Sequence, residues 1–255
     1  MDHYETRREA ATGTHMLSEF GLATGVRASL GHVSVRLPED PTKFVVKGRG
    51  YRLDTLARTR PEDLVVSDLD ANLVDGPAEV VPCFEVKIHS CILRDHPEVQ
   101  SVVHVHPTYT VLLSVLGKPL SPLCAEGSSL VLDPLPVYPR QKIITTDAEG
   151  AEVSKLLGNG PAVLLFGHGA VTAGESLEES VTRMIHLEHQ AWMNYLAYAV
   201  AGKEHPSIPR ELVQEARAGV GGHLELPHFR QAQQKAGAMK YRGVWEYWKS
   251  LVATS

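Results

Sequence analysis

Two histidines stand one residue apart in SVVHVH, residues 101–106. In an extended strand successive side chains alternate between faces, so His104 and His106 project to one side while Val103 and Val105 project to the other. Two imidazoles on one face begin a metal site without completing it. A third candidate is His168 in FGHGAV, where Gly167 and Gly169 permit an irregular backbone and a close approach. The fourth is Glu85, on a helix just ahead of the histidine strand that can pack back and turn one carboxylate toward an ion. Three imidazoles with a position left open suit a catalytic rather than a closed structural site. In such a site Glu85 either ligates transiently or exchanges protons with a substrate.

The surrounding pattern supplies elements to position these groups. A helix is expected over residues 4–22, with Ala10, Met16, Leu17 and Phe20 apolar and Gly21 at its end. SLGHVSVRLPED turns at Gly31 and alternates through Val33 and Val35 as a strand, and KFVVKG is a second, ending in the glycine-rich GRGY. DLVVSDLDANLVDG reads as a strand and a hairpin around Asp70 and Ala71. Residues 82–96 are expected to form a helix with Phe84, Ile88, Cys91 and Ile92 on one face and Glu85 and His89 on another. After the histidine strand come a helix ending at Gly117 and a capping box from Thr146 to Glu149 that opens a helix to Gly158. PAVLLFGHGAVTAG follows as an apolar strand interrupted at residues 167–169, and SLEE at 176–179 is a second capping box heading a long helix to about Ala199. Residues 1–205 are expected to be one α/β domain. The 206–255 tail, with a candidate helix near 229–238 and the cluster YRGVWEYW, is expected to pack on that domain or on a neighbouring subunit.

Composition narrows the classes. A net charge of −5 without a long basic run leaves no nucleic-acid footprint. The 255 residues are 43% hydrophobic and 22% charged, as in an ordinary globular protein, and contain no uninterrupted membrane-length apolar stretch. Cys83, Cys91 and Cys124 form neither a CxxC pair nor an even disulfide set, so a reduced, cytoplasmic protein is expected.

The strings CFEVKIHSCILRDHPEVQSVVHVHP and AVLLFGHGAVTAGESLEESVTRMIHLEHQAWMN resemble the class II aldolase/adducin family. Its signature is a catalytic glutamate, an H-x-H about twenty residues later and a third histidine in a turn before a long helix; here these positions are Glu85, His104, His106 and His168. The resemblance implies a single three-layer α/β/α domain with a mostly antiparallel central sheet. It also implies a divalent metal (Zn, Mn, Co or Fe) and homo-oligomers, commonly tetramers, with sites at subunit interfaces.

Sugar-phosphate members of the family hold phosphate with a Gly-Asn turn, a Thr/Ser-Gly turn and a serine pair before the glutamate. This chain has Gly31-His32 after Ser29, Arg49-Gly50-Tyr51 in KGRGY, and Cys83-Phe84 at those places. A thiol and a phenyl ring cannot replace two hydroxyl donors, so the substrate is expected to be an aromatic or enolic carboxylate. Arg49 would take a carboxylate, Phe84 and Tyr51 would form ring-packing walls, and His32 would assist Glu85 as acid/base. Tyr138, with Arg140, and Tyr241, with Arg242, are further candidates near the pocket, whereas His186 and His189 read as polar-face residues. The family's aromatic-acid decarboxylases fit best, with 3,4-dihydroxyphthalate as substrate and protocatechuate as product. The alternatives are a decarboxylase of a hydroxy-carboxy-muconic semialdehyde, an aldolase of a non-phosphorylated compound, and a non-catalytic adducin-like assembly module.

Overall fold

The computed structural model describes residues 3–236 and 242–252. The chain opens with α1 (Tyr4–Glu19), whose buried side includes Ala10, Met16 and Leu17. The hairpin β1 (Gly31–Leu37) and β2 (Asp40–Arg49) follows, then β3 (Leu64–Asp68), the short β4 (Leu73–Asp75) and β5 (Val81–Pro82). Ala71, in the β3–β4 turn, has a positive φ of 69°. Next come α2 (Val86–Asp95), β6 (Ser101–Val105), α3 (Thr108–Val115), β7 (Val137–Tyr138) and α4 (Asp147–Leu157). The chain continues through β8 (Ala162–Leu165), β9 (Gly169–Gly174), α5 (Leu177–Ala201), α6 (Arg210–Leu224), α7 (Pro227–Ala236) and α8 (Arg242–Val252).

The sheet runs in the order β4-β3-β2-β1-β6-β9-β8-β7, with β5 paired to β2. Neighbours are antiparallel except β7 and β8. Strand alternation feeds two apolar layers, one on each face. Val33, Val35, Val45, Val66, Val103 and Val105 meet α1, α3 and α5 on one side. Phe44, Val46, Val65, Val102, Val163 and Val171 meet the α2–α4 pair on the other. The three-layer, mostly antiparallel architecture is thus the one that the family resemblance implies.

Local chemistry explains the helix starts. At α4 the Thr146 hydroxyl accepts from the Glu149 N–H (3.3 Å) while the Glu149 carboxylate accepts from the Thr146 N–H (3.1 Å), a complete capping box. At α5 only half of that motif forms. Ser176 accepts from the Glu179 N–H (3.1 Å), but the Glu179 carboxylate reaches back one residue further, to the Glu175 N–H (2.9 Å).

Two expectations need correction. The segment 82–96 is not one helix: Val81–Pro82 pairs with β2, residues 83–85 form a turn, and α2 begins at Val86. Phe84 consequently leaves the apolar face of Ile88, Cys91 and Ile92 and is 65% exposed. The PAVLLFGHGAVTAG segment is a hairpin, not an interrupted strand, because Gly167 (φ 60°) reverses the chain between β8 and β9. In the tail, α8 packs on α1 of its own chain, with Trp245, Trp248 and Val252 buried and the Trp248 ring 4.8 Å from Phe20.

Candidate active site

His104 lies on the central strand β6, directly opposite His32 on β1. Both belong to the face that carries Val102, beneath α2. His104 is fully buried and His32 nearly so. The His104 Nδ1–H donates to the Ala170 carbonyl on β9 (3.0 Å), which leaves the Nε2 lone pair facing Glu85 and His106. His106 follows the last residue of β6, and its Nε2 lies 3.1 Å from His104 Nε2. Its exit is fixed from two sides. Arg27 donates to the His106 carbonyl (3.1 Å), and the half-buried Glu188 carboxylate of α5 accepts the Tyr109 and Thr110 N–H groups at the start of α3 (both 2.9 Å).

The β8–β9 turn carries His168 to the same point, its ring 4.6 Å from that of His106 and 5.2 Å from that of His104. Gly169 makes this approach possible. A Cβ there would stand 2.5 Å from the Val105 carbonyl oxygen and 2.8 Å from His104 Cε1. Glu85 closes the cluster from the turn before α2. Its Oε1 accepts the Ile144 N–H (3.0 Å), so Oε2 is aimed at His104 Nε2 (3.2 Å), His168 Nε2 (3.6 Å) and His32 Nε2 (3.8 Å).

The electrostatics suit a cation. Burial disfavours the ionised Glu85, but His104, His168 and His32 around it outweigh that effect and hold its carboxyl well below the usual carboxylate range. Burial, with His104 and His168 nearby, lowers His106 to about 2. Burial also lowers His32 to about 4, against the partial compensation of Glu85. A neutral imidazole with its lone pair available is the form that ligates metal. One ligand atom each from Glu85, His104, His106 and His168 lies within 4.8 Å of the others, a spread that an ion bonded at about 2 Å to each would close with small adjustments. His168 Nδ1 is buried without a hydrogen-bond partner, so this ring is oriented by backbone and packing rather than by a carbonyl or carboxylate behind it.

The remaining predicted positions divide into two groups. Ser29, Arg49 and Phe84 come together beside Glu85. The Arg49 guanidinium donates to the Ser29 carbonyl (3.0 Å) and to Asp54 (2.6 Å) and lies 5.5 Å from the Phe84 ring centre. Gly31 heads β1 against the His104 carbonyl, whereas Gly50, past the end of β2, lies against the backbone of Glu79. Tyr51, expected as a ring-packing wall, and Tyr138, expected near the pocket, both lie apart from the Glu85–histidine cluster. Tyr51 turns into a separate groove of about 390 Å³ with His15, Arg52 and Thr59. Tyr138 is fully buried in the apolar layer under α4, its hydroxyl accepting from Arg140 (3.3 Å). Tyr241 lies outside the described residues.

Sequence reasoning missed four contributors: His89, Ser34, Lys47 and Asp54. His32 Nδ1 is 2.6 Å from His89 Nε2, and His89 Nδ1 is 2.7 Å from Ser34 Oγ, all three residues being buried. Asp54 bridges Arg49 and the wholly buried Lys47. The signals were present in part, since Glu85 and His89 are four apart and His32 and Ser34 share a strand face.

Comparison with known proteins agrees with this geometry. Residues 8–195 match the family model described as Class II Aldolase and Adducin N-terminal domain. The chain is 31% identical over 209 residues to a 3,4-dihydroxyphthalate decarboxylase of Arthrobacter keyseri, covering 79% of this chain and 82% of that protein. It is 31% identical over 212 residues to the enzyme of the same description from Terrabacter sp. (strain DBF63), covering 80% and 86%. In fold it is similar to a crystal structure of an aldolase II superfamily protein from Pseudomonas syringae, with a TM-score of 0.76, 21% identity, and coverage of 98% of this chain and 92% of that one. The chain therefore belongs to the class II aldolase and adducin family, among its carbon–carbon lyases.

Proposed function

We propose that the chain is a divalent-metal-dependent, non-oxidative decarboxylase of a hydroxylated aromatic carboxylate, with 3,4-dihydroxyphthalate as substrate and protocatechuate as product, in aromatic catabolism. The observation that carries this reading is the exposed Phe84 ring beside the Arg49 guanidinium, next to a buried Glu85–histidine cluster. A flat apolar platform with a planar cation at its edge matches a benzene ring bearing a carboxylate. It does not match a sugar phosphate, for which hydroxyl donors would be needed at Cys83 and Phe84. The names of the two bacterial relatives support the same substrate.

His104, His106 and His168, with Glu85 as a ligand until substrate binds, would hold the ion, which would supply Lewis acidity toward the substrate. The chain's own groups do the rest. Arg49 binds the carboxylate that is retained, and Phe84 stacks on the ring. Glu85 Oε2 takes the proton of the hydroxyl next to the departing carboxylate. Glu85 returns that proton to the ring carbon bearing the carboxylate, so that the neighbouring C–OH becomes C=O; when the carbon–carbon bond then breaks, CO₂ leaves and the bonding pair restores the aromatic ring, displacing charge onto that oxygen. His32 donates its Nε2–H to the oxygen on which charge accumulates.

We also propose a homo-oligomer, with a tetramer favoured, in a reducing cytoplasm. On α5, Trp192, Tyr195 and Leu196 are 38–40% exposed at i, i+3, i+4 spacing, an apolar stripe suited to a second copy. Cys83, Cys91 and Cys124 are free thiols. Among the described residues no helix is long and apolar enough to cross a membrane.

Product analysis of the metal-reconstituted protein given 3,4-dihydroxyphthalate tests the function. Protocatechuate with an equivalent of CO₂, abolished by a chelator, is expected. Unchanged substrate rejects this compound, and an aldehyde in place of CO₂ assigns aldol cleavage instead.

A further inference from the structure

Ser34, His89 and His32 form a buried chain that ends at the Glu85 carboxylate, and the reaction above uses only its last member. The chain's polarity follows from counting protons. A neutral imidazole carries one N–H, and a serine hydroxyl can donate or accept. Two arrangements satisfy the contacts of 2.6 Å and 2.7 Å. In one, Ser34 donates to His89 Nδ1, His89 Nε2–H donates to His32 Nδ1, and His32 keeps its proton on Nε2. In the other every bond is reversed, and His32 presents a bare Nε2 lone pair.

The group that His32 Nε2 faces decides between them. Glu85 Oε2, 3.8 Å away, belongs to an ionised carboxylate, which only accepts. A lone pair aimed at it would be repelled, since His32 lies outside the Glu85–His104–His106–His168 group in which an ion would stand between such atoms, whereas an N–H is attracted. An ion shared by His32, Cys83 and His89, whose ligand atoms also cluster within 4.8 Å, is a poorer account. Two nitrogens on one tetrahedral zinc stand about 3.3 Å apart, well beyond the 2.6 Å between these rings, which is hydrogen-bond distance.

We propose that His89 is a positioning residue: by donating Nε2–H to His32 Nδ1, it fixes His32 as the Nε2–H tautomer, so that His32 meets the substrate as a hydrogen-bond donor. This rests on the decarboxylase reading for its kinetic consequence, but not for the tautomer. In that reaction a fixed donor favours the oxygen that becomes negative as CO₂ leaves, whereas a tautomer mixture would present a lone pair to the same oxygen for part of the time.

The test is ¹⁵N-histidine NMR of the metal-free and zinc-loaded protein, with the His32 signals identified by their loss in H32N. His32 is expected to show a pyridine-like Nδ1 and a pyrrole-like Nε2. H89Q, whose amide can still donate, keeps that pattern. H89L, which cannot, shifts His32 toward a tautomer mixture and lowers kcat by about 10–100-fold with little change in KM, and H89Q recovers most of kcat. A protonated Nδ1 on wild-type His32 overturns the proposal, even if H89L does not fold. So does an unchanged His32 pattern in folded H89L. Absence of turnover on hydroxyaromatic acids, with the tautomer pattern as described, sinks the decarboxylase reading and leaves the positioning role standing.

Discussion

Replacing Glu85 by Gln separates the charge of this side chain from its position. The Gln carbonyl oxygen can still accept the Ile144 N–H that Glu85 now holds at 3.0 Å, so the turn ahead of α2 keeps its anchor. What changes is the atom facing His104, His168 and His32 at 3.2, 3.6 and 3.8 Å, where an anionic oxygen becomes an amide NH₂ that cannot accept a proton. Loss of a positioned acid–base group costs about 10²–10⁴ in rate, or about 3–5 kcal/mol of barrier. The three imidazoles remain. Metal content measured by plasma mass spectrometry should therefore stay near the wild-type value while kcat for CO₂ release falls by that factor. E85A is the stability control, because it leaves the Ile144 amide buried and unpaired at about 1–3 kcal/mol. It should melt lower by about 2–4 °C per kcal/mol, whereas E85Q should melt close to wild type. Wild-type kcat in fully metallated E85Q would refute Glu85 as the acid–base group. E85Q purified without metal would show instead that the carboxylate is an obligatory ligand.

Arg49→Met removes the planar cation next to Phe84, and KM for the dicarboxylate should rise about 10–100-fold, the worth of a hydrogen bond to a charged group; R49K should recover little, since an ammonium lacks the two-pronged geometry, and an unchanged KM would remove Arg49 from the pocket. Gly31→Ala places a Cβ 2.6 Å from Val105 Cγ1 and 2.9 Å from the His104 carbonyl oxygen at a φ of +140°. It should cost about 1–3 kcal/mol in urea unfolding and weaken metal binding by calorimetry, because the strain falls on the His32–His104 strand pair. Trp248→Ala empties the contact between α8 and Phe20 and should cost about 3–5 kcal/mol; an unshifted urea midpoint would contradict the docking of α8 on α1.

Much of the architecture was legible because it rests on local rules. The period-2 runs of β1, β6 and β9 and the caps at Thr146 and Ser176 each require only a few neighbouring residues. Departures from those local rules occur where a distant partner intervenes. Phe84 fits the apolar helical spacing of Ile88 and Ile92, yet Pro82 is recruited as a strand by Gly48, and the Ile144 amide captures Glu85, so the helix starts later. The hairpin at residues 166–168 has the same apolar composition as a continuous strand, and only the pairing of Leu165 with Gly169 reveals the reversal.

For the site, the sequence by itself determined the residue types and their faces. The H-x-H alternation, a histidine between glycines and a preceding glutamate define a donor set, because ligand chemistry depends on side-chain identity. Convergence was decided by tertiary structure alone. His104, His168 and Glu85 come from β6, the β8–β9 turn and the turn before α2, and their separation depends on sheet register and on an N–H from residue 144. The His89–His32 contact belongs to the same class. A two-residue periodicity places His32 and Ser34 on one face and a helical one turns His89 toward some neighbour, but only the packing of α2 against β1 puts the rings within a hydrogen bond, burying both where an unpaired nitrogen would be costly.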